Sequence, residues 1–258
     1  MMSDKNKITE YADVNQILVK LQAGVKRILR DELIGIYLHG SLALGDFDPA
    51  SSDIDFIVLT DNRLSDETIH KLKEMHYRLN DYKWGKRLEG SYLPANTLQY
   101  HEPPEPPRPY FNGGEFSSPR YGYEWVLERH VLLDKGIVLE GPPLSNFIDP
   151  ILPEKIRNAS MTILNEWWIP MLKDNTHIED SEYQAYAILT MCRVIFTLHN
   201  STIVSKLRAA KWMKERFADK WTPIIDQALA WQNGQSLDLL PESLELIQFT
   251  RQLAGMIK

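Results

Sequence analysis

Apolar positions recur with two different periods along this chain, and the changes of period outline its parts. Val14, Ile17, Leu18, Leu21, Val25, Ile28 and Leu29 fall at helical spacing within residues 8–31, which predicts an amphipathic helix laid on a sheet. Residues 1–7 ahead of it read as a frayed polar tail. Two short aliphatic and β-branched runs follow, Gly35-Ile36-Tyr37-Leu38-His39 and Ser52-Asp53-Ile54-Asp55-Phe56-Ile57-Val58-Leu59, and each predicts a strand. Between them Leu42-Ala43-Leu44-Gly45 suits the start of a short helix, and Asp46 to Ser52 is a polar loop broken by Pro49. Residues 64–80 return to helical spacing, with Ser65 as N-cap and Glu67, Lys71, Lys73 and Arg78 on the polar side. His70 and His76 of this helix are expected at the surface. Lys86 to Leu93 predicts a third strand.

Residues 101–109, His-Glu-Pro-Pro-Glu-Pro-Pro-Arg-Pro, exclude a helix or central strand and favour an extended spacer or a loop framing a cleft. Tyr110, Phe111, Phe116 and Tyr121 then supply aromatic faces for packing or for a ligand. Helical spacing resumes from Tyr123 to Leu133, followed by a turn at Lys135-Gly136 and a short apolar run ending at Gly141-Pro142-Pro143. Gly and Pro accumulate over 141–153, placing a boundary there and giving two domains, 1–150 and 151–258. The second reads as all-helical, with helices at 154–172, 181–199, 205–217, 221–232 and 241–257 and with Trp167, Trp168, Trp212 and Trp221 as packing anchors. His177 and His199 stand apart from other ligand-type residues.

Composition narrows the function classes. A chain of 258 residues with 43% apolar and 25% charged positions is an ordinary globular protein with room for two modest domains. Its net charge of −6 tilts against a nucleic-acid partner. The lone Cys192 excludes an internal disulfide and fits a reducing compartment. With no leader-like segment and no apolar run near eighteen residues, a cytoplasmic protein without a membrane partner is expected.

The chemistry gathers on the first two strands. The first runs into Gly40-Ser41, a pair whose backbone amides and hydroxyl suit a phosphate cradle. On the second, Asp53 and Asp55 leave the same face. Two carboxylates that close repel by roughly 4 kcal/mol at about 4 Å when the effective dielectric is about 20. Solvent, a proton or a hard cation must answer that repulsion, and Mg²⁺ bridging to phosphate oxygens does so. Ser52 either touches such a phosphate or closes the turn. Glu89 is the one acidic residue in the third strand, where a carboxylate needs a partner or a task.

Gly40-Ser41, eleven residues, then Asp53-Ile54-Asp55 resembles the signature of the DNA polymerase β-like nucleotidyltransferase superfamily. It lacks the Lys-Ser/Thr of a Walker A loop. The second half extends the likeness: Leu189-Thr190-Met191-Cys192-Arg193, Ser205-Lys206 and Ala210-Lys211-Trp212 resemble the helical domain of streptomycin- and spectinomycin-type aminoglycoside adenylyltransferases. The resemblance implies an α+β fold, with a mixed sheet flanked by helices in the N-terminal nucleotidyltransferase domain and a helical bundle after it. It implies ATP as co-substrate, Mg²⁺ on Asp53, Asp55 and Glu89, and Glu89 as general base. It also implies a small, cationic aminoglycoside-type acceptor and a monomer. Lys206, placed just inside a helix start behind Ser205, would reach the nucleotide phosphates. Trp231 would stand near the nucleotide, Glu124 would be the acidic residue of the middle helix, and Arg193 would contact phosphate or a carboxylate of the helical core. The chain departs from that pattern with His39 in place of Phe, with Ser181-Glu182-Tyr183-Gln184 where the relatives carry an acidic run, and with Gly114-Glu115-Phe116 where they have Gly-Glu-Trp. These departures bear on the acceptor more than on ATP. The alternatives are an enzyme that adenylylates a protein or another non-antibiotic acceptor, and a regulatory module that binds nucleotide without transfer.

Overall fold

The computed structural model describes residues 8–99, 106–231 and 235–257. It divides into two compact units, one formed by Met1–Asp48 with Ser52–Pro150 and the other by Pro49–Ser51 with Ile151–Lys258. Residues 1–7, and residues 101–105 of the proline-rich run, lie outside the described residues.

The first unit is built on a mixed six-stranded sheet. Its strands are β1 (Leu33–Leu38), β2 (Ile54–Thr60), β3 (Leu88–Pro94), β4 (Tyr110–Asn112), β5 (Glu115–Ser117) and β6 (Ile137–Glu140), arranged β5-β4-β3-β2-β1-β6. Only β2 and β3 run parallel; the other neighbours are antiparallel. The helices are α1 (Ala12–Leu29), the short α2 (Gly40–Leu44), α3 (Asp66–Leu79) and α4 (Glu124–Lys135). Alternation along β2 sorts its side chains between two cores. Ile54, Phe56 and Val58 pack with α1 and α3, whereas Ile57 and Leu59 pack with Trp125 and Leu132 of α4. By the same alternation Asp55 belongs to the α4 face. Ser65 caps α3 as expected, its hydroxyl accepting from the Thr68 amide at 3.1 Å.

Two expectations for this unit are corrected. The sequence reading has no strand after Leu93, yet β4 and β5 form a hairpin. Gly113 (φ 58°) and Gly114 (φ 86°) supply the two positive-φ positions that a tight two-residue hairpin turn requires. Strands of three residues carry too little alternation to register as a period. His76, expected at the surface, is buried: its ring stacks on Phe111 at 4.1 Å and Phe56 at 5.7 Å, and its Nε2 lies 2.7 Å from the Tyr92 hydroxyl. It occupies the inward stripe of α3 with Leu72, Met75 and Leu79.

Burial drives the His76 pKa from 6.5 down to about 3. The folded state therefore refuses a proton that the unfolded chain accepts below about 6.5, and stability falls as pH drops through that window. The expected loss from this residue is ~2 kcal/mol between pH 6.5 and pH 5, at ~1.4 kcal/mol per pH unit. Denaturant unfolding at the two pH values measures it, and His76→Gln should flatten that part of the dependence; an unchanged slope would show that His76 is not the group responsible.

The second unit is helical: α5 (Pro153–Ile163), α6 (Ser181–Asn200), α7 (Lys206–Arg216), α8 (Ala218–Ala230) and α9 (Leu240–Ala254), with α6 at the centre of one apolar core. The helix predicted over 154–172 is interrupted, passing into a π-helical turn at Leu164–Trp168 and a 3₁₀ turn at Ile169–Leu172. Pro170 explains the break, because it lacks an amide hydrogen and its ring opposes the carbonyl four residues back. Trp168 and Trp221 are buried and Trp212 packs edge-on against Phe196, but Trp167 is half exposed and is no anchor; its indole donates to the Tyr183 hydroxyl at 3.0 Å. Among the described residues no helix is long and apolar enough to cross a membrane.

Candidate active site

The parallel pairing of β2 with β3 sets Ile54 opposite Leu88 and Asp55 opposite Glu89. In-register residues of neighbouring strands share a face, so the two carboxylates stand side by side, with Asp53 one alternation earlier on the same side. The end of β1 is tied to this point, since the His39 amide donates to the Asp55 carbonyl at 3.1 Å. Gly40 follows at φ +56°, and a Cβ there would overlap the Asp55 carboxylate. Glycine is needed twice over at this position, for its backbone angle and for the close approach. The first unit thus brings Gly40, Asp55 and Glu89 together, with Ser41 next to Gly40 and Asp53 just ahead of β2. The helix expected from Leu42 starts at Gly40 itself.

The surrounding charges are arranged unevenly. Arg87 pairs with Asp53 (Nε to Oδ1, 3.5 Å), donates to the Ser52 carbonyl and lies over the Trp84 ring at 4.9 Å. Glu89 accepts a hydrogen bond from the Tyr110 hydroxyl, which in turn accepts from Asn112 Nδ2 at 3.1 Å. Burial, and then the Glu89 charge, push the Tyr110 pKa far up, so the phenol stays protonated. From α4, Glu128 is pushed up to about 8, first by burial and then by Glu124, Glu89 and Asp55. Arg108 opposes that rise from a buried position 3.9 Å from the Tyr121 ring and 4.5 Å from that of Trp125. Burial lowers His39 to about 4 and keeps it neutral.

These residues fit a hard cation. Every donor is a carboxylate oxygen, the ligand type that Mg²⁺ prefers. Among the described residues, however, no three His, Cys, Asp or Glu side chains gather as a complete metal-holding group. A cation here would take one or two carboxylates and complete its shell from water and phosphate, the usual habit of Mg²⁺.

The Ser52 hydroxyl accepts from the Asp48 amide at 3.0 Å and so helps to close the turn before β2. Glu124 caps the turn before α4, accepting from the Gly122 amide at 2.7 Å. Glu115 is exposed at the start of β5, and Phe116 packs against the α1–α3 core. The other candidates belong to the second unit. Ser205 caps α7 by accepting from the Arg208 amide, and Lys206 Nζ sits 4.1 Å from the Tyr186 ring centroid. Arg193 is partly buried on α6, and Trp231 ends α8 with its indole donating to the Gln235 carbonyl at 3.1 Å. In the segment that departs from the acidic run, Ser181 and Gln184 accept from the Leu237 and Leu239 amides at 2.9 and 2.7 Å, a packing duty. Sequence reasoning missed Arg87, Tyr110 as a partner of Glu89, and Glu128. Arg87, one residue before the Leu88 that pairs with Ile54, depends on a strand register that only the fold supplies. The other two depend on a hairpin and a helix face that only the fold reveals.

Comparison with known proteins agrees with this architecture. Residues 20–90 match the family described as nucleotidyltransferase domain, and residues 146–255 match that described as aminoglycoside adenylyltransferase, C-terminal domain. A spectinomycin 9-adenylyltransferase of Enterococcus faecalis is 24% identical over 253 residues, spanning 92% of this chain and 94% of its own. The crystal structure of a spectinomycin adenyltransferase from the same organism, with ATP and spectinomycin, has the same fold: the TM-score is 0.71 at 19% identity, over 93% of this chain and 98% of that one.

Proposed function

We propose that this chain, which belongs to the aminoglycoside adenylyltransferase-like nucleotidyltransferases, transfers AMP from ATP to a hydroxyl of an aminoglycoside-type antibiotic such as spectinomycin or streptomycin. The observation that carries the reading is the in-register pair Asp55–Glu89 set against Gly40 and Ser41. It supplies carboxylates and a phosphate cradle on one face, the equipment that nucleotidyl transfer requires.

In this reading Gly40 and Ser41 hold the β- and γ-phosphates and leave the α-phosphorus open. Asp53 and Asp55 would hold Mg²⁺, with water and phosphate oxygens completing its shell. When bound, that ion offsets triphosphate charge and stabilises the entering and leaving oxygens. Glu89 takes the proton from the acceptor hydroxyl. The acceptor oxygen bonds to the α-phosphorus as the bond from that phosphorus to the β-bridging oxygen breaks, and pyrophosphate leaves with its electron pair. Glu124, Glu89 and Asp55 each push the Glu128 carboxyl toward its protonated form, and the negative potential they make on the α4 side suits a cationic acceptor.

The test is pyrophosphate release from ATP and Mg²⁺ across spectinomycin, streptomycin and other hydroxylated amines. Release that depends on one antibiotic is the expected result. Magnesium-dependent ATP binding with no release for any of them would instead point to the nucleotide-binding module, and AMP found on a co-purifying protein would move the acceptor to a polypeptide.

A further inference from the structure

The hairpin that the sequence did not announce brings one side chain to the general base. Tyr110 is the first residue of β4 and pairs with Ser91 on β3, so Glu89 is its diagonal neighbour across the two strands. From there its hydroxyl donates to Glu89 Oε1. The phenol has a single proton to give, and Asn112 Nδ2 approaches its oxygen as a donor at 3.1 Å, which leaves that proton committed to the carboxylate. Ring packing does not account for the arrangement: the Tyr110 ring meets Tyr121 edge-on at 6.2 Å, a contact that phenylalanine would preserve.

We propose that Tyr110 is a positioning residue, fixing Glu89 through Oε1 so that its other carboxylate oxygen faces the acceptor hydroxyl, with Asn112 as the outer member of the chain. The inference rests on the reading of Glu89 as general base. An unanchored glutamate samples several rotamers about its side-chain torsions, only some of which can receive the proton. An oxygen held by a protonated phenol fixes the carboxylate's rotamer and gives Glu89 a defined direction of attack on that proton. Residues that orient a reacting group in this way typically change rates by about 10–100-fold when removed.

Tyr110→Phe is the deciding variant because it keeps the ring and removes only the hydroxyl. The expected result is a fall in kcat of about 10–100-fold, with KM for ATP and acceptor within about twofold and an unchanged unfolding midpoint. Asn112→Ala should lower kcat in the same direction by a smaller factor. A downfield hydroxyl proton resonance in the wild-type NMR spectrum, lost in Tyr110→Phe and moved upfield in Glu89→Gln, reads the bond independently of turnover. Wild-type kcat in Tyr110→Phe, or a spectrum in which neither substitution removes or moves a hydroxyl resonance, would overturn the inference while leaving the adenylyl-transfer reading in place. A wild-type enzyme with no acceptor-dependent release would overturn that reading and the inference with it.

Discussion

With Asp55 replaced by Asn, acceptor-dependent pyrophosphate release falls by roughly 10³-fold or more, while the unfolding midpoint holds or rises. Asp55 is pressed against Gly40 and stands opposite Glu89, so a change there acts directly at the phosphate cradle. Asparagine keeps the shape and removes the charge. The lost rate corresponds to several kcal/mol of transition-state charge stabilisation, at about 1.4 kcal/mol for each factor of ten. Stability should not suffer, because the substitution relieves repulsion between Asp55 and Glu89, which stand side by side. Steady-state turnover with ATP and Mg²⁺, beside thermal unfolding, measures both halves. Near-wild-type transfer by this variant would remove Asp55 from the metal assignment.

Glu89→Gln should lower kcat by about 10²–10⁴-fold, the usual worth of a positioned base. Affinity for ATP should shift much less. Glutamine retains a carbonyl oxygen for the Tyr110 hydroxyl, so the geometry survives while the capacity to accept a proton does not. Comparing its kcat with that of Tyr110→Phe therefore separates the base from its aim. ATP binding by calorimetry and single-turnover AMP transfer would check it; a variant that transfers at the parental rate would show that the proton leaves by another route.

Much of the site was legible because its signals are local. A two-residue spacing puts Asp53 and Asp55 on one face whatever surrounds them, and Glu89 stands out as the lone acidic residue of an apolar strand. The adjoining Gly-Ser turn was likewise readable from residue type alone. What escaped is of two kinds. His76 misled because a histidine was judged by its polarity and not by its position, one turn after Leu72 on the inward stripe of α3. Trp167 misled in the opposite sense: adjacent residues on a helix point about 100° apart, so Trp167 and Trp168 do not both face the core. Non-local facts are a different matter. The partnership of Tyr110 with Glu89 depends on a hairpin with three-residue strands, and the high pKa of Glu128 depends on α4 lying over the carboxylates.

The parallel pairing of β2 with β3 also governs when the site comes into being. Asp55 and Glu89 lie thirty-four positions apart in the chain and meet only once the crossover through α3 has closed. During synthesis, β2 leaves the ribosome with its two aspartates hydrated and independent of any base. Until β3 follows and takes its place, nothing stands opposite Asp55 to receive a proton. If Glu89 is the base, a product cut before β3 has none, and acceptor-dependent transfer cannot begin before the sheet has closed.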